Sequence, residues 1–472
     1  MKSSKILLFI ACIIAALASI GAVFPADGID IGSKHLGFAS LHSLAESARM
    51  ESSQAPSLSD AQPSNATSLT DSVAYYRSLV NNGDLRFWLP NAHYLDGFWR
   101  QAENARRQGR MVRILHYGDS QIEMDHLTSR LRAHMQQRFG GGGPGMIPFQ
   151  TITASLTVSQ STTGELLHLS SFGDSTVVRS RGNYGPMMQC FRLPGGSAST
   201  TLRASRSNSV DDHAKHFSRI TLLYENRGSH MAADLVDRQH KANYSQSTDE
   251  SGIGSLVWTL DSVTNAIRLT VRGTADLHGV LLDDGAGVAV DNIPMRGCSG
   301  QQFTLIPEEK LSAAYLQMDI GLIILQFGGN SVPYLKTAGQ ISTYCQALGK
   351  QIDHIRRCCP RAKVLFVGPS DMSTRLHGQL QTYPMLPVLV DSLAATAVRH
   401  GVAYWSIYHA MGGQNSMPQW AKKGLAGQDY IHFSQRGADL MGDRLSEALE
   451  NSYRLYRLEQ KAKRSRSQKA KK

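Results

Sequence analysis

The sequence predicts an α/β domain with a mainly parallel sheet, interrupted by an inserted domain of β-strands. Apolar strands alternate with amphipathic helices over residues 73–150 and again over residues 291–460, which is typical of parallel sheets. Between these parts, residues 151–290 hold only short β-rich runs broken by Gly, Asn, Ser and Asp, which predicts an all-β sandwich. With 472 residues, 42% of them hydrophobic, the chain has room for both domains.

The N-terminus has the features of an export signal. Lys2 and Lys5 precede an apolar run over residues 6–24 that contains small residues near its end. The run is also long enough to span a bilayer, so residues 1–24 are predicted to be a signal peptide or an uncleaved membrane anchor. Residues 25–72 are rich in Ser and Ala and predict a flexible linker. An exported, periplasmic or envelope-associated protein is therefore expected.

The positive charge of the chain is concentrated at its C-terminus. Seven Lys and Arg residues lie in residues 461–472, so the net charge of +11 falls to about +4 without them. We predict a disordered basic tail, with adhesion to an anionic envelope surface as the alternative. No zinc-ligand spacing, phosphate loop or RNA-binding motif occurs, so no nucleic acid, metal or cofactor is expected. Cys345 and Cys359 lie on one apolar helical face and are predicted to be buried thiols.

The elements of the first α/β part follow from their apolar periodicity. A helical pattern near residues 95–105 is followed by a strand, "MVRILHY", and by a predicted helix from Ile122 to Phe139. The glycines after Phe139 are expected beyond a helix C-terminus.

The second part repeats this alternation. Its expected strands are Ile320–Phe327, "KVLFVGP" and "VAYWSI", and its expected helices are Ile341–Cys359, Leu386–His400 and a last long helix from near Ser434.

Ser120 lies at the junction of the first strand and its helix, in "ILHYGDSQIE". The carboxyl ends of parallel strands are where sites form in open sheets, so Ser120 is a candidate nucleophile. The second Gly-Asp-Ser, which ends at Ser175, lies in the β-rich region and predicts a hairpin turn. The Gly-x-Ser-x-Gly elbow is absent because Ile122 occupies its last position, which argues against an ordinary α/β-hydrolase.

A serine nucleophile needs a base and an acid that orients the base. Asp429 and His432, in "GQDYIHFS", lie between the last strand and the last helix. The same spacing at Asp237 and His240 lies inside the β-rich region and serves as a decoy. Two further candidates are donors for an oxyanion: Asn330, after a buried strand, and the backbone N–H of Gly300.

In their order along the chain, Gly118-Asp119-Ser120, Gly300, Gly328-Gly329-Asn330 and Asp429-Tyr-Ile-His432 resemble the sequence blocks of the GDSL, or SGNH, hydrolase family. The resemblance implies a flavodoxin-like three-layer α/β/α fold and a Ser-His-Asp esterase without a metal. Ser120 is then the nucleophile, His432 the base and Asp429 its orienting acid. The resemblance further implies an oxyanion hole formed by Ser120, Gly300 and Asn330. The sequence departs from the family pattern at Gln121 and Ser331.

The position of the β-rich insert resembles the layout of bacterial peptidoglycan O-acetylesterases, in which a jelly-roll-like, carbohydrate-binding module interrupts the hydrolase domain. The resemblance implies an acetylated polysaccharide partner, with peptidoglycan as the first choice. Three alternatives remain open. They are a polysaccharide O-acetyltransferase that uses the same Ser-His-Asp site, a lipid or short-chain acyl esterase, and a non-catalytic glycan-binding scaffold.

Overall fold

The computed structural model of the chain describes residues 29–31, 34–36, 68–80, 87–173, 179 and 182–469. Within the unit Met1–Ser64, strands β1 (Ile29–Ile31) and β2 (Lys34–Leu36) form an antiparallel pair. The apolar run at residues 6–24 and Ser175 lie outside the described residues. None of the helices in the described ranges is long and apolar enough to cross a membrane.

The unit Asn65–Lys472 contains the remaining helices and strands. The helices are α1 (Leu69–Val80), α2 (Asp96–Ala105), α3 (His126–Phe139), α4 (Glu308–Leu316), α5 (Ala338–Cys358), α6 (Leu386–Arg399), α7 (Ile407–Met411), α8 (Ser416–Lys422) and α9 (Gln435–Lys469). The strands are β3 (Phe87–Trp88), β4 (Met111–Gly118), β5 (Gly145–Ile147), β6 (Val158–Thr163), β7 (Leu167–Ser170), β8 (Gln189–Leu193), β9 (Ser197–Ala204), β10 (Phe217–Asp237), β11 (Asn243–Thr248), β12 (Gly252–Thr264), β13 (Ala266–Asp283), β14 (Gly287–Pro294), β15 (Ile320–Gln326), β16 (Lys363–Gly368), β17 (Ser373–Leu376), β18 (Gln379–Thr382) and β19 (Ala403–Ser406). Short 3₁₀ helices cover Ser120–Asp125, Asp212–Lys215, Phe303–Leu305 and Gly329–Tyr334.

A six-stranded sheet forms the centre of the α/β part, in the order β14-β4-β15-β16-β19-β3. All neighbours are parallel except β3, which pairs antiparallel with β19. Counted from β4, the parallel strands have the flavodoxin-like order 2-1-3-4-5, as the resemblance implies. Its switch point lies between β4 and β15, so ligands are expected to bind beyond the carboxyl ends of these two strands.

Helices cover both faces of this sheet, as a parallel sheet requires. One apolar cluster joins its strands to α4, α5 and α6, and a second joins them to α1, α2, α3 and α9. The predicted α/β/α layers are therefore confirmed. Cys345 is buried inside the first cluster, and Cys359 is partly buried against it.

An additional antiparallel sheet of nine strands, β5 to β13, lies between the two α/β parts in the chain. Its long strands β10 and β13 pair along most of their length, from Arg219 opposite Asp283 to Asp237 opposite Ile267. The first half of β10 pairs with β12 on its other side and the second half with β11. The two halves enclose an apolar cluster of their own. The assignment of this region to a carbohydrate-binding module stays a prediction.

The antiparallel sheet is joined to the α/β part by apolar and ionic contacts. Met187 and Leu281 belong to the same buried cluster as Tyr117 of β4. Arg113 of β4 is buried and pairs with both Asp283, at the end of β13, and Asp291 of β14. Breaking such a buried pair leaves an uncompensated charge, which makes this junction costly to separate.

Four predicted boundaries need correction. α1 begins at Leu69, inside the predicted linker of residues 25–72. β5 already pairs with β13, and β14 belongs to the parallel sheet, so the antiparallel sheet spans Gly145–Asp283 rather than residues 151–290. The short apolar run of β14 does not by itself reveal which sheet it joins. The predicted disordered tail is helical through Lys469, since Lys, Arg, Gln and Ala extend an existing helix at little cost.

The helix predicted from Ile122 begins only at His126. Met124 and Asp125 have φ values of 61° and 65°, outside the right-handed helical region. They separate the 3₁₀ turn that starts at Ser120 from α3.

Candidate active site

The turn after β4 presents Ser120 at the carboxyl edge of the sheet. A Cβ on Gly118 would lie 2.9 Å from the Ile122 side chain, so the tight turn requires glycine there. The Oδ1 atom of Asp119 accepts a hydrogen bond of 3.0 Å from the N–H of Gln121 and thereby caps the 3₁₀ turn. Ser120 is the first residue of this turn, so its N–H has no partner within the turn.

His432 and Asp429 reach Ser120 from the segment before α9. The Ser120 hydroxyl lies 2.8 Å from Nε2 of His432, and Nδ1 of His432 lies 2.7 Å from Oδ2 of Asp429. The other carboxylate oxygen of Asp429 accepts the N–H groups of Ile431 and His432 at 3.0 and 3.1 Å. Burial acts to raise the pKa of Asp429, but these hydrogen bonds outweigh it, and the pKa is lowered. Asp429 is therefore held as a carboxylate against the imidazole.

Gln121 fastens this segment to the serine turn. Its amide nitrogen donates to the carbonyl oxygen of Ile431 at 2.6 Å, and its amide oxygen accepts the N–H of Phe433 at 3.3 Å. Its amide nitrogen also contacts the Ser370 hydroxyl at 3.1 Å. Gln121, at which the sequence departs from the family pattern, thus forms hydrogen bonds with the backbone on both sides of His432.

A cavity of about 390 Å³ opens at these residues, with Ser120, His432, Gly297 and Asn330 among its lining. The amide nitrogen of Asn330 donates one hydrogen to the carbonyl oxygen of Cys298 at 3.1 Å, which leaves its second hydrogen for a ligand. No residue of the described ranges accepts the N–H of Gly297. The cavity wall therefore offers N–H donors beside the serine.

The predicted donor Gly300 is not among the residues that line this cavity. Gly300 is buried with φ +83°, and a Cβ there would lie 2.8 Å from the ring of Phe327. Its conformation allows close packing, and Gly297, three residues earlier, lines the cavity. The role of Gly300 as an oxyanion donor stays a prediction. The sequence "RGCSG" carries both glycines, and only the course of the loop after β14 distinguishes them.

Asp119 adds a buried carboxyl next to the site. It is 4% exposed, and burial raises its pKa to about 6, against the hydrogen bond from Gln121 and the attraction of His432.

A larger recess of about 590 Å³ adjoins the catalytic cavity. The two share Glu123, Met124, Arg296 and Gly297 as lining residues. The far wall of the recess comes from the antiparallel sheet and the segment leading to it, with residues such as Met146, Ile152, Val158, Gln160, His168, Met187 and Gln189. The antiparallel sheet therefore borders the space beside Ser120.

The segment Glu123–Asp125 forms the partition between the two spaces. Asp125 is buried, and its carboxylate takes two hydrogen bonds from Arg132, at 2.7 and 3.0 Å, and one from the Thr157 hydroxyl at 2.6 Å. These bonds hold Met124 and Asp125 at positive φ, a conformation that persists in non-glycine residues only where the surroundings impose it. Sequence patterns did not reveal this partition.

The decoy pair has the same local geometry as the candidate site. Nδ1 of His240 lies 2.7 Å from Asp237, whose other oxygen accepts the N–H of His240 at 3.3 Å. Nε2 of His240, however, faces the side chain of Gln239 at 3.4 Å instead of a serine. Within the described ranges, one cluster has ligand atoms close enough together to hold a metal ion. It consists of His93 in the turn before α2, Asp96 of α2 and Glu459 of α9, and it includes no residue of the catalytic cavity.

Comparisons with known proteins concern the family domain and the fold of the chain. Residues 261–440 match the model of the GDSL-like lipase/acylhydrolase family. No curated protein sequence matches the chain significantly. A structure described as "Peptidoglycan O-acetylesterase in action, 5 min" is 22% identical, with a TM-score of 0.62, over 77% of this chain and 97% of the other.

Other solved structures align less closely. A family two carbohydrate esterase from Clostridium thermocellum in complex with cellohexaose is 11% identical over 62% of this chain and 100% of its own, with a TM-score of 0.26. The acetyl xylan esterase AlAXEase is 13% identical over 34% of this chain and 81% of its own, with a TM-score of 0.27.

The flavodoxin-like strand order, the Ser-His-Asp arrangement at its switch point and the family match all point to one class of enzyme. The chain carries a GDSL-like lipase/acylhydrolase domain and is a carboxylic ester hydrolase of the SGNH fold.

Proposed function

We propose that this protein is an exported serine esterase that removes O-acetyl groups from an envelope polysaccharide, with peptidoglycan as its substrate. The observation that carries the proposal is the recess beside Ser120. A hydrolase with only the α/β part lacks the wall that the antiparallel sheet contributes, and a small acetyl ester does not need that wall. A polymer does, because its remaining units must be held while one ester reacts.

Ser120, His432 and Asp429 act as one catalytic unit. The Ser120 hydroxyl oxygen attacks the acetyl carbonyl carbon while Nε2 of His432 takes its proton, and Asp429 stabilises the resulting imidazolium. His432 then gives the proton to the leaving sugar oxygen, and the acetyl group stays on Ser120. Water attacks this acetyl-enzyme with His432 again as the base, which releases acetate and restores the serine.

The negative charge on the former carbonyl oxygen needs donors that are in place before the reaction. We assign this role to the N–H groups of Ser120 and Gly297 and to the side-chain amide of Asn330. They lie on the wall of one cavity and come from the ends of three neighbouring strands, β4, β14 and β15. Gly300, which the family resemblance suggested, follows three residues later in the same loop and stays the alternative donor.

A second candidate function is supported by the composition of the recess. Much of its wall is apolar, with Met146, Ile147, Val158 and Met187 among the lining residues. Such a surface suits an acyl chain as well as the apolar faces of sugars and peptide side chains. A lipid or short-chain acyl esterase is therefore the rival to be tested.

The decisive experiment measures acetate release from purified O-acetylated peptidoglycan. p-Nitrophenyl acetate, butyrate and octanoate serve as parallel substrates, and Ser120→Ala serves as the blank. The proposal expects release of acetate from the polymer and falling kcat/KM from acetate to octanoate. Rising kcat/KM with chain length, without release from the polymer, would establish the lipid esterase instead. Transfer of acetyl to an added sugar acceptor in place of release would identify a transferase.

A further inference from the structure

A third concave surface lies away from Ser120. It is a groove of about 1310 Å³ between the C-terminal ends of α2 and α3 and the last turns of α9, hereafter the basic groove. Its cationic lining residues are Arg100, Arg106, Arg107, Arg138, Arg457, Lys461 and Arg464. Glu103 is the acidic residue among those that line it. A groove with one sign of charge focuses its field on anions.

Glu103 and Glu450, two acidic residues that contact cations of the groove, already have partners. Oε1 of Glu103 accepts hydrogen bonds from Arg457 at 2.7 Å and from the Tyr453 hydroxyl at 2.9 Å. Arg138 pairs with Glu450 at 3.2 Å and lies over the ring of Tyr453.

Five further cations, Arg100, Arg106, Arg107, Lys461 and Arg464, form no ion pair with an acidic residue of the described ranges. Their side chains belong to exposed residues. The groove therefore presents an excess of positive charge that solvent ions or an external anion must balance.

The basic groove and the catalytic cavity lie at opposite ends of α3. α3 begins at His126, which lines the catalytic cavity, and ends at Phe139, which lines the groove. Its 14 residues separate the two by about 20 Å. A surface bound at the groove thus leaves the catalytic cavity open on the opposite side.

α9, which lines the basic groove, also packs against α1, the first helix of the unit Asn65–Lys472. α1 packs on α9, where Arg77 contacts Glu459 at 2.6 Å and Tyr76 contacts Arg454 at 3.0 Å. In the chain, α1 follows the Ser- and Ala-rich segment that leads from the apolar run at residues 6–24. An attachment through that run would connect to the fold beside the groove.

We propose that the basic groove binds the phosphate headgroups of an anionic lipid bilayer and orients the catalytic cavity away from that surface. Lys and Arg side chains near an anionic surface each add to the attraction, and the attraction is screened by salt. The bound state would direct Ser120 toward polymer that lies outside the membrane. This role does not depend on which ester the enzyme hydrolyses.

The test compares the full-length chain with two triple variants in flotation with preformed vesicles. The groove variant carries Arg100→Gln, Lys461→Gln and Arg464→Gln. The matched control carries Arg206→Gln, Arg238→Gln and Arg375→Gln, which remove the same charge from exposed positions elsewhere. Vesicles of phosphatidylcholine alone and of phosphatidylcholine with phosphatidylglycerol are used in parallel. Any binding through the apolar run at residues 6–24 is then present with both vesicle types and cancels in the comparison.

The proposal expects phosphatidylglycerol to increase partitioning of the unsubstituted chain and of the control. In the groove variant, the gain in partitioning that phosphatidylglycerol produces should be about 10²-fold smaller. The variant should still hydrolyse p-nitrophenyl acetate. Equal partitioning of the unsubstituted chain into both vesicles, or equal losses in the two variants, would overturn the proposal. Binding of soluble polyphosphate without a preference for phosphatidylglycerol vesicles would overturn it in favour of a polyanion site.

Discussion

The amide nitrogen of Gln121 donates a hydrogen bond of 2.6 Å to the carbonyl oxygen of Ile431. The residue after the candidate nucleophile therefore holds the residue before the candidate base. Ser120 and His432 are 312 positions apart in the chain, and their 2.8 Å contact depends on how two loops meet. Gln121 joins these loops directly, and a leucine at this position would leave the N–H of Phe433 without this partner.

We expect Gln121→Ala to lower kcat about 10²-fold with a small change in KM, because a misplaced base mainly affects the transition state. Kinetics with p-nitrophenyl acetate and thermal unfolding would measure both effects. Gln346→Ala, on the exposed side of α5, is the control. If Gln121→Ala and Gln346→Ala had the same kcat, Gln121 would have no positioning role.

Ser120→Ala, His432→Ala and Asp429→Asn should each reduce kcat by several orders of magnitude, and combining them should add little, because the three act together. Hydrolysis of p-nitrophenyl acetate by single and double variants would measure this. His240→Ala is a matched control, since His240 has the same contact with an aspartate and no serine partner. Labelling of Ser175 instead of Ser120 by a serine-reactive probe would contradict the assignment.

Asn330→Ala is expected to lower kcat by about 10²- to 10³-fold, the usual loss for one oxyanion donor. Gly300→Ala should act differently. Its Cβ would meet the Phe327 ring and its φ is positive, so a lower melting temperature is expected before any specific loss of kcat. Steady-state kinetics with thermal denaturation separate the two effects. A change in KM alone for Asn330→Ala would refute its role as a donor.

The buried Asp119 predicts a pH dependence of stability. Its folded pKa of about 6 lies above the ordinary value of about 3.9, so the folded protein binds this proton more tightly than the unfolded chain. The corresponding stabilisation, on the order of 2–3 kcal/mol, is present below about pH 4 and is lost as the pH rises through about 6. Asp119→Asn retains a cap acceptor but cannot ionise.

Urea unfolding at pH 4.5 and 7 would compare this variant with the unsubstituted protein. We expect the free energy of unfolding to decrease less over this interval in Asp119→Asn. An identical decrease in both proteins would show that Asp119 does not titrate as proposed.

The recess is tested by point substitution, because excision of the antiparallel sheet would remove part of the core it shares with β4. Ile152 lies in the lining of the recess and is 48% exposed, whereas Val263, 53% exposed, lies outside it. Ile152→Ser should raise KM for O-acetylated peptidoglycan several-fold and leave hydrolysis of p-nitrophenyl acetate unchanged. Val263→Ser should change neither. If the unsubstituted protein and both variants hydrolysed the polymer at equal rates, the recess would have no role in substrate binding.

Local signals in the sequence determined much of the fold. The alternation of apolar strands with amphipathic helices predicted the parallel sheet, because a strand buried on both faces must be apolar throughout and its covering helices must be apolar on one side. The helix from Ala338 to Cys358 and the strand from Ile320 to Gln326 agree with their predictions to within a few residues. The position of Ser120 after a strand was likewise a local property.

Long-range contacts decided the rest. Asp429 with His432 and Asp237 with His240 have the same spacing and nearly the same hydrogen bonds. Long-range contacts, including those of Gln121 with the backbone around His432, bring only the first histidine to a serine. Gly297 and Gly300 likewise differ in where the loop after β14 runs. Spacing along the chain specifies local geometry, whereas a site is formed by side chains from distant segments. Their distances depend on the packing of the whole sheet, which no local pattern encodes.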